Sequence, residues 1–240
     1  IGMEELEKGQ ALIAAKKFNE AEILFPQSQW APRSALMSAY SYFDFGYYYE
    51  SINEVNRYLK TYPSSDRKSY AHYLKAMSYY NQIVDEKKDL GPIIEAKESF
   101  QLIILKYPNS EYAMDAEFKL ELIEEILAAK EMHIGRFYLK KEKWIPAINR
   151  FKKVVEDYET TIFAEEALHR LVEVYYKIGL VEESKKYAIT LGYNYQSSEW
   201  YKKSYQVLNK NYKKIRKKKQ NKKSKSLIKR IRSIIVNDNE

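Results

Sequence analysis

SINEVNRYLKTYP (51–63) and AKESFQLIILKYP (96–108) share one register: a small residue, a bulky one four later, and a proline eight beyond that, preceded by tyrosine. AINRFKKVVEDYE (147–159) and SKKYAITLGYNYQ (184–196) repeat it, with Ala147, Phe151 and Glu159 and with Ser184, Ala188 and Gln196 at the three positions. Twelve and nine residues before the small residue, a second pair recurs in three of the four: Ala39 with Tyr42, Gly135 with Tyr138, Val172 with Tyr175. A weaker copy over Gly9, Leu12, Ala21 and Phe25 is expected to open the chain. Small residues that let two antiparallel helices approach, with a ring one turn later and a helix stop at fixed distance, are the pattern of tetratricopeptide repeats. The expected fold is all-α: a tetratricopeptide-like helical-repeat solenoid of about five repeats over residues 1–205, followed by a basic tail over 206–240. The predicted halves of the array are about 1–108 and 109–205.

The small residues recur at intervals of 30, 45, 51 and 37 rather than at a constant 34. An insertion around Asp85–Pro92 accounts for one long interval. The run from Asn109 to Ile134, free of Gly and Pro, predicts one extended helix of about 35 to 40 Å at 1.5 Å per residue, which would divide the array into two rigid halves.

Composition agrees with a nearly all-helical solenoid, since 240 residues with 45% hydrophobic content are punctuated by only seven glycines and six prolines. The 23 tyrosines suit wedges between stacked helices, ring inward and hydroxyl at the wet edge. No apolar run approaches the roughly 18 residues that span a bilayer, and the sequence shows no signal peptide. Without cysteine, disulfides and thiol catalysis are excluded.

Charge is split along the chain. Residues 1–199 carry a net −5 and residues 200–240 a net +13, which together give the +8 of the whole. The run KKIRKKKQNKKSK (213–225) has the composition of a solvated segment. Beyond it, Leu227, Ile228, Ile231, Ile234 and Ile235 fall on one helical face, with Lys229, Arg230 and Arg232 elsewhere on the wheel. That pattern fits an amphipathic helix on an anionic surface or in a partner's groove. Nucleic-acid binding through phosphate neutralisation and a merely solubilising tail are the alternatives.

Catalytic parts are scarce. His72, His133 and His169 stand far apart with no HExxH pattern, and no glycines are spaced for a phosphate cradle. Glu121 with Glu124 and Glu125, and Glu165 with Glu166, read as solvated helix faces. The expectation is a non-enzymatic protein with no cofactor and no metal.

Several ordered stretches, SQWAPRSALMSAYSYFDFGYYYESINEVNRYLKTYP (28–63), YAHYLKAMSYY (70–80), YPNSEYAMDAEFKL (107–120), AKEMHIGRFYLKKEKWIPAINRFKKVVEDYETT (129–161) and LGYNYQSSEWY (191–201), resemble the BamD family of outer-membrane assembly lipoproteins. The resemblance covers about residues 5–205. It implies a scaffold on the periplasmic face of the outer membrane, anchored by an N-terminal lipid, within the β-barrel assembly machinery. It further implies that the C-terminal repeats dock the BamA-type barrel subunit through its membrane-proximal periplasmic domain. Unfolded client outer-membrane proteins would present their C-terminal targeting strands to the N-terminal repeats, and accessory assembly lipoproteins complete the expected partners; nucleic acid is not among them.

Carried onto this sequence, Glu131, Tyr138, Asn149 and Arg150 match the family pattern in the half expected to meet the BamA-type subunit. Arg150, between Ile148 and Phe151, has the fork for a partner carboxylate, with an intrarepeat pair to Glu131 as the equal alternative. Client strands are extended and end in an aromatic residue, so a receiving groove needs aromatic walls, and Trp30, Tyr40, Tyr42, Phe43, Tyr47, Tyr70 and Tyr73 are the candidates. Two departures stand out: no cysteine precedes the first repeat, so the lipid is expected upstream of Ile1, and Lys88-Asp89 replaces an expected Arg-Asp pair. A cytosolic repeat adaptor with an RNA-binding tail is the alternative reading of the whole chain.

Overall fold

The computed structural model describes residues 2–83, 90–196 and 198–209. The inserted Lys88-Asp89 and the tail positions Leu227, Ile228, Lys229, Arg230, Ile231, Arg232, Ile234 and Ile235 lie outside the described residues. Every regular element among the described residues is helical, in the order α1 (Gly2–Glu7), α2 (Ala11–Leu24), α3 (Ala31–Asp44), α4 (Tyr48–Thr61), α5 (Lys68–Tyr80), α6 (Gly91–Lys106), α7 (Glu111–Lys140), α8 (Trp144–Asp157), α9 (Ala164–Lys177), α10 (Val181–Asn194) and α11 (Glu199–Leu208). The chain divides into two compact units, Ile1–Leu127 and Ala128–Glu240, the boundary falling inside α7. The first unit holds α1 to α6 and the start of α7; the second holds the end of α7 and α8 to α11.

Helix pairs are closed by the residues of the register. Ser51 and Val55, Ala96 and Phe100, and Ala147 and Phe151 are all buried, while of the last pair Ser184 is buried and Ala188 half-buried. Sixteen residues upstream of each bulky position lies its counterpart on the preceding helix: Ala39 opposite Val55 in one core cluster, and Gly135 opposite Phe151. In the α5–α6 pair the inserted residues shift the counterpart to Ala76, which shares a cluster with Phe100. Val172 and Ala188 occupy the same two places with the sizes exchanged. One partner is always small, so helix axes approach closely without leaving a void.

The opening repeat follows a different frame from the expected one. Leu12 and Phe25 are exposed, at 54% and 65%, and Gly9 is a turn residue with φ +78. The register instead runs through Gly2, Ala14, Phe18 and Pro26: Ala14 is fully buried, and a Cβ on Gly2 would lie 2.9 Å from the Phe18 ring. Gly9 belongs with Gly46, Glu142 and Gly179, each two residues before the second helix of a pair and each with positive φ. That turn needs a left-handed residue, and three of the four are glycine.

The expected long helix is present: α7 has 30 residues, about 45 Å at 1.5 Å per residue. It absorbs the longest interval between register residues. Tyrosines do fill spaces between helices, Tyr175 stacking on Tyr187 at 5.5 Å. Tyr58 departs from the expected wedge: it is wholly buried, hydroxyl included, and donates to Ser65 Oγ at 2.6 Å instead of reaching a wet edge.

Candidate functional site

In the first unit, the structure groups some of the predicted aromatics and separates others. Tyr40 of α3 and Tyr70 of α5 pack against the same core cluster. Tyr70 and Tyr73 meet Tyr112 at the start of α7, with ring centroids 5.6 and 5.0 Å apart. The Tyr73 hydroxyl donates to Asp115 at 2.6 Å and that of Tyr40 to Asp44 at 3.3 Å. Burial raises the Tyr70 hydroxyl to about 12, and burial with the Asp115 hydrogen bond raises that of Tyr73. These phenols therefore stay protonated at neutral pH and present rings edged with donors and acceptors. The residues lie on α3, α5 and α7, the first helices of consecutive pairs.

The other candidates sit elsewhere in this unit. Tyr42, Phe43 and Tyr47 surround the α3–α4 turn, Tyr42 edge-on to Tyr47 at 6.5 Å and Phe43 beside Tyr48 at 5.8 Å. Trp30 lies at the α2–α3 turn, 56% exposed, under the Arg33 guanidinium at 5.2 Å. Tyr112 and Asp115 were missing from the predicted set. They follow Tyr73 by about 40 residues, and no helical spacing links them to it.

In the second unit, Glu131 of α7 is buried and accepts from Arg150 Nη1 of α8 at 2.9 Å, with Lys153 Nζ at 3.2 Å. The intrarepeat alternative for Arg150 is thus realised in the free chain, although its side chain remains 40% exposed. Asn149 is exposed, and Tyr138 is half-buried beside Phe137 at 5.8 Å. A second buried carboxylate, Glu166 of α9, takes a two-pronged contact from Arg136 of α7 and another from Arg170. Burial pushes the Glu166 carboxyl up, but the two guanidinium groups outweigh it and hold the group below its ordinary value.

His169 is buried, with Nδ1 2.8 Å from Ser204 Oγ and its ring 5.2 Å from Trp200. His72 is half-buried beside Tyr107 and His133 is exposed. Among the described residues no group of His, Asp and Glu could hold a metal ion, and no helix is long and apolar enough to cross a membrane. The buried charges form ion pairs between neighbouring helices. They fix the stacking of a surface.

A stacked helical-repeat array with aromatic and ion-paired faces is a binding scaffold in architecture. The family model described as "YfiO: Outer membrane lipoprotein" matches residues 1–191. "Outer membrane protein assembly factor BamD" of Rickettsia prowazekii is 43% identical over 207 residues, 86% of this chain and 82% of that protein. The protein of the same name from Caulobacter vibrioides is 41% identical over 210 residues, 88% of this chain and 69% of that one. The chain belongs to the YfiO/BamD family of outer membrane lipoproteins. Among solved structures it is similar to the "TPR2AB-domain:pHSP90-complex of yeast Sti1", with a TM-score of 0.43 and 14% identity over 86% of this chain and 78% of that one.

Proposed function

We propose that this chain acts in outer membrane protein assembly as a non-enzymatic scaffold on the periplasmic face of the outer membrane, held there by a lipid upstream of Ile1. Its second unit docks the BamA-type subunit, and its first unit receives the C-terminal strands of client outer-membrane proteins. Family membership supports the setting. The observation that carries the client role is the run of phenols over Tyr40, Tyr70, Tyr73 and Tyr112 on the first helices of three consecutive pairs. An extended strand exposes alternate side chains and unpaired backbone groups. A row of protonated phenols offers rings to the first and hydrogen bonds to the second. Tyr42, Phe43, Tyr47 and Trp30 flank this face rather than extend it.

For the docking surface, Arg150 has a dual role. Its pair with Glu131 orders the side chain, while the exposed part of the guanidinium remains open to a partner's carboxylate or carbonyls. Exposed Asn149 lies beside it, and Tyr138 borders the α7–α8 turn. Accessory lipoproteins bind other faces of the array.

The test is direct. A fluorescent peptide with alternating apolar residues and a C-terminal phenylalanine is titrated into the protein, and Tyr40→Ala/Tyr112→Ala weakens it about tenfold, the value of one lost aromatic contact set. In a pull-down by the periplasmic domain of the BamA-type subunit, Asn149→Arg abolishes capture while leaving peptide binding intact. Peptide affinity unchanged by the tyrosine variants, or capture unchanged by Asn149→Arg, removes the corresponding half of the proposal.

A further inference from the structure

Six arginines lie among the described residues. Arg57, Arg136, Arg150 and Arg170 each pair with a carboxylate. Arg33 and Arg67 form no ion pair among the described residues, and both line the same open cavity of about 750 Å³. Its walls come from the α2–α3 and α4–α5 turns and include Trp30, Tyr62, Pro63 and Asp66. A few residues before Gln29 and Trp30 of its lining, at the end of α2, Ile23, Leu24 and Phe25 are 75%, 70% and 65% exposed. Here three consecutive apolar residues are exposed on the same stretch of chain as an exposed tryptophan, which shares its cavity with two guanidinium groups that hold no ion pair among the described residues, Arg33 lying over the Trp30 ring.

We propose that this edge of the first unit is a phospholipid contact: Ile23, Leu24, Phe25 and Trp30 enter the interfacial layer, and the cavity takes a headgroup bearing both a phosphate and a primary ammonium. Charge complementarity selects that occupant. Arg33 and Arg67 match a phosphate with forked donors, while Asp66 on the same lining supplies an acceptor for an ammonium. A tryptophan flanked by aliphatic residues and arginines has the composition of a membrane interface. The volume is within the range of small-molecule sites and ample for a headgroup with its glycerol. Cavity and client face are distinct, because Tyr40, Tyr70, Tyr73 and Tyr112 do not line the cavity. The inference rests on the outer-membrane setting proposed above but not on the client role.

The chain has no cysteine, so one can be introduced and labelled cleanly. An environment-sensitive dye is placed on Leu24→Cys and, as a reference, on Tyr193→Cys, which is 84% exposed in the second unit. The 240-residue protein is mixed with neutral vesicles of phosphatidylethanolamine and phosphatidylcholine, or of phosphatidylcholine alone. Neutral vesicles withhold the electrostatic attraction that the basic tail would otherwise feel. The dye at 24 is expected to shift to the blue with the ethanolamine lipid, weakly with choline lipid alone, and the dye at 193 not at all. Arg33→Gln/Arg67→Gln abolishes the shift, and Asp66→Asn reduces the ethanolamine response to the choline level. No shift at 24, an equal shift at 193, or a shift untouched by the arginine pair overturns the lipid contact; equal responses to both lipids overturn the headgroup assignment. Peptide titrations on a labelled Arg33→Gln protein separate the two proposals, since Arg33 packs over Trp30 whereas Arg67 lies within electrostatic reach of Tyr112.

Discussion

A Cβ on Gly135 of α7 would lie 2.6 Å from Cε1 of Phe151 on α8, and the Phe151 ring is completely buried. The ring fills the space that the glycine leaves. Gly135→Ala must therefore displace the ring or the helix, at a cost of about 1–3 kcal/mol from overpacking, even though alanine is the better helix former. Phe151→Leu restores part of the loss in the Gly135→Ala background while destabilising the wild type. Urea denaturation of the four proteins measures the coupling; strict additivity would show that the two positions do not compete for volume.

Glu142 has φ 55 at the turn position where Gly9, Gly46 and Gly179 stand. A side chain in the left-handed region costs roughly 1 kcal/mol. Glu142→Gly is expected to stabilise the second unit by about that amount, less the added entropy of an unfolded glycine. The thermal midpoint rises if relief of backbone strain exceeds that entropy, and falls if it does not.

Glu22 of α2 is buried and accepts from Arg57 of α4 at 2.9 and 2.7 Å and from the Tyr62 hydroxyl at 2.7 Å. Burial raises its carboxyl, but the Arg57 and Tyr62 hydrogen bonds outweigh burial and leave it below the ordinary 4.5. The stabilisation is thus fully present above about pH 4.5 and is lost as pH falls through the lowered value. Glu22→Gln removes this part of the acid dependence and costs about 2 kcal/mol at pH 7, as expected when one partner of a buried pair is neutralised. Comparing urea midpoints at pH 7 and pH 3 tests it.

His169 behaves in the same direction at higher pH. Burial depresses its imidazole to about 4, with Arg170 and Lys203 also disfavouring the proton and Glu173 and Glu166 partly opposing them. The unfolded chain binds a proton near pH 6.5 and the folded chain does not, so stability is intact above 6.5 and declines toward pH 4. His72, also pushed down to about 4 by burial and nearby lysines, adds to the same window. His169→Phe should flatten the slope between pH 6.5 and 4.5, an effect on the order of 2 kcal/mol at most. An unchanged slope would place the imidazole in water.

Most of the fold was legible because a small residue and a ring four apart are a local signal. Ala96 with Phe100 and Ala147 with Phe151 state their own packing, and the gap-free stretch after Asn109 states α7. The first repeat was misframed because Gly9 imitates a packing glycine although its positive φ serves the turn. Its true partner position, Gly2, sits in a helix of six residues, too short to show a period. Phe25-Pro26 closes that repeat as Tyr62-Pro63 closes the next, and that signal was available. The candidate site was less legible, since Tyr112 joins Tyr70 and Tyr73 only through stacking of separate helices. An arginine's lack of a partner is equally hidden: Glu22 and Arg57, or Glu131 and Arg150, are 35 and 19 residues apart.

The exchange of sizes between paired positions sets what evolution or an engineer can transplant. Gly135 faces Phe151, whereas the matching places in the next pair hold Val172 and Ala188. Moving α9 alone into the place of α7's second half would drive a valine into a phenylalanine, and moving α8 alone would do the same in reverse. Two helices moved together bring their own complement. The heritable module of this array is the hairpin, and crossovers that respect its boundaries are the ones expected to yield folded chimaeras.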